Sequence, residues 1–96
     1  MVLSYNYIQT KACGLITCDD DNLKKHKVSR QEIDQVLDSR NLTTRVFDLA
    51  PARNGNERAM FVGLTLQGRL IEVGVEAVSD TNDHVFHAMA ATQQYR

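Results

Sequence analysis

The stretch from Arg58 to Val78 constrains the fold more than any other part of the chain. Arg58 to Leu66 and Arg69 to Val78 both alternate apolar side chains with others at a period of two, the pattern of paired strands. Gln67-Gly68 between them predicts a tight two-residue hairpin turn. In that register Leu66 faces Arg69, Leu64 faces Ile71, Val62 faces Val73 and Met60 faces Val75, which collects seven apolar side chains on one face. The other face pairs Thr65 with Leu70, Gly63 with Glu72, Phe61 with Gly74, and Ala59 with Glu76, so that Phe61 covers the bare backbone at Gly74. Side chains alternate, so a slip of one residue would scatter the apolar set.

A helix must cover that face, and one is written upstream. Ser29 as N-cap and Glu32 three residues later form a capping box, each side chain satisfying the other's free backbone N–H. Val28 and Ile33 stand where a hydrophobic staple needs them, and Ile33, Val36 and Leu37 continue one apolar stripe. The spacing predicts a helix over 29–40. Before it, Leu15 to Cys18 reads as a short strand. Asp19-Asp20-Asp21 then opens a short helix that ends at Lys24-Lys25-His26, a charge order that suits the helix dipole. After it, Thr43 to Leu49 reads as a strand, and Ala50 to Glu57, with Pro51 and Asn54-Gly55, as a loop. A last strand is expected through His84 to His87, and a terminal helix from Ala88 to Tyr95. The expected class is α+β: a three- to four-stranded antiparallel meander with two N-terminal helices and a C-terminal helix. Residues 1–14 read as an N-terminal arm or strand (Leu3, Tyr5 and Tyr7 alternate with polar residues) and 15–96 as a single domain.

Composition narrows the class. At 96 residues, 43% hydrophobic and 24% charged, the chain matches an ordinary globular domain rather than a disordered one. It has no run of apolar residues long enough to span a membrane and no basic start followed by an apolar stretch, which points to the cytoplasm. Cys13 and Cys18 are expected as free thiols, and no metal or cofactor site is suggested. The net charge of −1 hides an uneven distribution: residues 40–70 carry Arg40, Arg45, Arg53, Arg58 and Arg69 against Asp48 and Glu57, giving +3. Guanidinium forks bind phosphate and carboxylate oxygens in pairs, so this middle suits nucleic acid or an acidic protein partner.

Asp19-x-x-Asn22-x-x-Lys25-His26-x-Val28-Ser29-x-x-Glu32 resembles the opening of BrnT-like toxins. The order that follows is similar too: an arginine before a strand, a glycine within it, a Gly68-Arg69 turn, a hydrophobic return strand and a final strand entering an alanine-bearing helix. The resemblance implies a compact fold like that of the RelE superfamily and the toxin role in a type II toxin–antitoxin system. It also implies endoribonuclease activity on RNA or ribosome-associated mRNA, and a cognate antitoxin as partner. One departure stands out. The family's last strand commonly ends in Ser-Ala-Arg, whose arginine belongs to its RNA site, whereas here the stretch is His87-Ala88-Met89.

Metal-free RNA cleavage needs a base at the 2′-hydroxyl, cations at the phosphate and an acid for the leaving oxygen. His87, Arg69 and Glu72 are the expected catalytic residues, with Lys25, His26 and Arg58 binding RNA. The mid-chain arginines and His87 should then gather around one hollow. His84 and His87, three apart on one strand, are expected on opposite faces. The competing function is a non-catalytic interaction module of the same fold, and an uncovered sheet edge would allow a homodimer.

Overall fold

The computed structural model describes residues 15–96, so the expected arm over 1–14 and Cys13 lie outside the described residues. Along the chain run β1 (Leu15–Cys18), α1 (Asp20–His26), α2 (Arg30–Leu37), β2 (Arg45–Leu49), β3 (Arg58–Leu64), β4 (Leu70–Ser79) and β5 (Asn82–Ala90), then a 3-10 turn at Gln93–Tyr95. The class is α+β with the two expected helices. The sheet, however, has five strands in the order β1-β5-β4-β3-β2 and is mixed. The β2–β5 meander is antiparallel, while β1 runs parallel to β5 along its outer edge.

The helices form where their caps are. Asp19 accepts the backbone N–H of Asn22, and Lys24, Lys25 and His26 close α1. In α2, Ser29 Oγ accepts the Glu32 N–H at 3.1 Å while Glu32 Oε1 accepts the Ser29 N–H at 3.0 Å. Val28 and Ile33 are both buried, as a staple requires. The helix stops at Leu37 rather than Asn41's side of 40 because Asp38 turns extended and spends its carboxylate on the backbone N–H and guanidinium of Arg40.

The hairpin register differs by one residue from the expected pairing. The connection is a three-residue loop, Leu66-Gln67-Gly68: Thr65 and Arg69 pair, Gly68 N–H returns to Thr65 O at 2.9 Å, and Gly68 takes φ 82°. This is a turn followed by a glycine bulge in place of the two-residue turn. The extra loop residue sets Phe61 opposite Val73 and Met60 opposite Gly74. Ala59, Phe61, Ile71, Val73 and Val75 therefore form the face that packs on Leu23, Val28, Ile33 and Val36. Met60 and Val62 turn to the opposite face, where they pack with Ala91, Phe47, Leu49, Leu70 and Tyr95. The apolar set expected on one face is thus divided between two.

The expected terminal helix is also absent. β5 continues to Ala90 because β4 offers it a ladder as far as Ile71, and Ala91 N–H extends the pairing to Leu70 O. Cross-strand bonds here outweigh the helix preference of alanine. Among the described residues no helix is long and apolar enough to cross a membrane.

Ser29→Ala removes one half of the capping box and is expected to lower unfolding free energy by about 1 kcal/mol in urea denaturation. A second expectation concerns Asp83, 3% exposed in β5, whose carboxyl burial pushes up to about 6 from an ordinary 3.8. Between those values the folded chain holds a proton that the unfolded chain has released. Stability therefore falls as pH rises from about 4 to about 6, then levels; Asp83→Asn removes that slope in a pH series of denaturation curves.

Candidate functional site

The sheet carries both helices on one face, leaving the other to side chains from its own strands and the C-terminal turn. Alternation along β4 sends Ile71, Val73 and Val75 into the helix-side core and Glu72, Gly74 and Glu76 to the open face. On β5 the alternation is broken. Gly74 pairs with His87 but Val75 pairs with Val85, so Phe86 is an extra, bulged residue. Without the bulge His84 and His87 would lie on opposite faces, as expected from their spacing. With it, His84 stands opposite Glu76 and His87 opposite Gly74, both on the open face.

Glu72 is the most buried polar group of that face, at 3% exposure. Its Oε2 receives His87 Nε2 at 2.8 Å and its Oε1 receives the Thr92 backbone N–H at 2.6 Å. A carboxylate can only accept, so Nε2 carries the hydrogen of this bond, and in the neutral imidazole Nδ1 is then the acceptor nitrogen. His87 remains 24% exposed. Next to it, centroid to centroid at 6.1 Å and edge-on, is His26. The last turn of α1 reaches this position because Asn22 Oδ1 accepts the Ala88 N–H at 3.0 Å, continuing along β5 where β1 ends. Lys25, beside His26 in sequence, is exposed.

A second cluster lies further along the same face. Arg58 Nε donates to Glu76 Oε1 at 3.1 Å, and Asn56 Nδ2 donates to Glu76 Oε2 at 3.0 Å. The Asn56 bond first, and Arg58 after it, hold the Glu76 carboxyl below its ordinary value. The guanidinium of Arg58 lies 4.4 Å over the ring of Phe86. His84 Nδ1 is 2.7 Å from Thr17 Oγ1 across the β1–β5 pair. Arg45 lies 5.6 Å over Phe47, which in turn packs at 5.0 Å on Tyr95.

Of the expected catalytic trio the structure unites two, His87 and Glu72. Arg69 points the other way. Its Nη1 donates to Lys27 O at 3.0 Å and to both oxygens of Glu32 at 3.3 Å, tying the hairpin tip to the helix layer. Of the expected RNA-binding residues, His26 joins His87, Lys25 is exposed on the same last turn of α1, and Arg58 belongs to the second cluster. Of the other mid-chain arginines, Arg45 lies on the open face over Phe47, while Arg40 pairs with Asp38 and Arg53 is exposed on the 50–57 loop. Phe86, Thr92 and Thr17 complete the face and carry no motif in the sequence, acting through a bulge, a strand-end contact and a cross-strand contact, whereas Asn22 belongs to the Asp19-x-x-Asn22 motif and ties α1 to β5. Phe86, not Phe61, covers Gly74, where a Cβ would come within 2.8 Å of Phe86 Cζ. Cys18 is a free thiol whose pKa burial raises. Among the described residues no three His, Cys, Asp or Glu side chains are grouped to hold a metal ion.

No protein-family model matches the chain, and no curated protein matches it.

Glu72→Ala strips a buried acceptor from both the His87 imidazole and the Thr92 N–H. It is expected to cost about 3–5 kcal/mol in urea denaturation, with Glu72→Gln costing less because its amide oxygen still accepts one of the two.

Proposed function

We propose that the chain is the toxin component of a type II toxin–antitoxin pair and that it cleaves RNA on the open face of its sheet without a metal. The observation that carries this reading is the Glu72–His87 pair with a second imidazole, His26, 6.1 Å away. One imidazole oriented by a carboxylate and another at its edge supply a base and an acid. His87 Nδ1 takes the proton of the 2′-hydroxyl as that oxygen attacks phosphorus. The bond from phosphorus to the 5′-oxygen breaks, and His26 gives that oxygen a proton. The products are a 2′,3′-cyclic phosphate and a 5′-hydroxyl. Lys25 supplies positive charge at the rim. The likeness of residues 15–96 to BrnT-like toxins adds the partner: a cognate antitoxin that silences the enzyme by covering this face.

A second reading, a non-catalytic interaction module of the same fold, is favoured by two observations. Arg69 is committed to Glu32 on the helix side. The position where the resemblance expects an arginine is Met89, paired with Glu72 across β4 and β5.

Controlled expression separates the two. The enzyme reading expects growth arrest and new RNA ends bearing cyclic phosphate. His87→Ala and His26→Ala should each reduce cleavage about 100-fold or more; the first also lowers the thermal unfolding midpoint, because it strips a donor from the buried Glu72 carboxylate, so circular dichroism checks that it is folded. Intact RNA and normal growth with the unaltered protein would leave the interaction module, and cleavage that survives both substitutions would move the active site elsewhere.

A further inference from the structure

The β5 bulge brings Phe86 onto the open face between His84 and His87, and the missing side chain at Gly74 lets its ring settle against β4. On that ring, at 4.4 Å, lies the guanidinium of Arg58. Its orientation is fixed from the side: Nε is bonded to Glu76 Oε1, and Asn56 holds the other oxygen of the same carboxylate. One face of the guanidinium is therefore occupied by the ring and one edge by the ion pair, yet the side chain is still 35% exposed. That exposed part of the side chain is what a ligand on the open face can reach. A flat, cationic, pre-oriented group of this kind matches the π-face of an unpaired nucleobase and has the donors to reach a neighbouring phosphate.

From this we infer that Arg58, laid on Phe86, is the stacking platform for a nucleobase flanking the cleaved bond, and that the open face takes single-stranded RNA. The inference rests on the reading of this face as an RNA site and names its substrate class. A duplex keeps its bases stacked on each other and cannot present one to the platform. Every base has a π-face, so the platform selects strandedness and not sequence. The platform is an arginine laid on a bulged phenylalanine.

The test measures fluorescence anisotropy of labelled 2′-O-methyl RNA, in which the blocked 2′-oxygen cannot attack, as a single strand and as a blunt duplex of the same sequence. The full chain is compared with Arg58→Lys, which keeps the charge and loses the plane, and with Phe86→Leu, which removes the ring beneath it; circular dichroism checks that each is folded. The platform predicts tighter binding of the single strand than of the duplex, and a loss of about tenfold or more in single-strand affinity for either folded variant. Unchanged affinity in both variants, or equal binding of strand and duplex by the unaltered chain, overturns the platform while leaving an RNA site in place. Absence of binding to either RNA overturns the RNA reading itself.

Discussion

A carboxylate 3% exposed in the middle of a sheet has to find hydrogen-bond donors, and the two that Glu72 finds organise the rest of the open face. Its bond to His87 sets the tautomer and direction of that ring. Its bond to the Thr92 N–H anchors the chain just after β5, so the segment carrying Tyr95 folds back over Phe47. A buried carboxylate satisfied by such hydrogen bonds adds little net stability relative to a well-packed apolar side chain, since desolvation offsets most of the gain. The arrangement therefore has more to do with positioning the imidazole than with holding the sheet together. The core on the other face does that work: Phe61, Ile71, Val73 and Val75 pack under Ile33 and Val36, all at 2% exposure or less.

The two faces divide the labour of the sheet. Glu32 shows how the helix side is closed: one carboxylate completes the capping box of α2 and receives Arg69 from the hairpin tip, so the turn between β3 and β4 is tied to the helix layer. That contact removes Arg69 from any chemistry on the opposite side. The open face keeps Arg58, Glu76, His84, Phe86, Glu72 and His87 on neighbouring strands, and α1 delivers His26 to its edge.

Local signals were legible in the sequence wherever a short-range rule decides the structure. Asp19, Ser29 and Glu32 cap their helices as their spacing predicts, and Val28 and Ile33 are buried as a staple should be. Long-range pairing was not legible. Gln67-Gly68 suggests a two-residue turn, but Gly68 in the left-handed region closes a three-residue one, and that single residue moves Met60 and Val62 to the other face. Nothing in Val85-Phe86-His87 announces a bulge, yet the bulge decides that both histidines share a face. The alanines after His87 favour a helix until a ten-residue β4 is there to pair with them. Among the site residues, Glu72 and His87 could be singled out by residue type alone. Arg69 could not be distinguished from Arg58, because its partner Glu32 lies 37 residues away.

If Glu72, His87 and His26 form an RNA site, RNA meets the chain on the face that lacks helices. Nuclear magnetic resonance mapping with an uncleavable single-stranded oligonucleotide tests this most directly. It predicts that the largest amide and imidazole shifts fall on the alternating open-face positions of β4 and β5 and on the last turn of α1. Shifts concentrated on α2 and the hairpin tip around Arg69, with the open face silent, would contradict it.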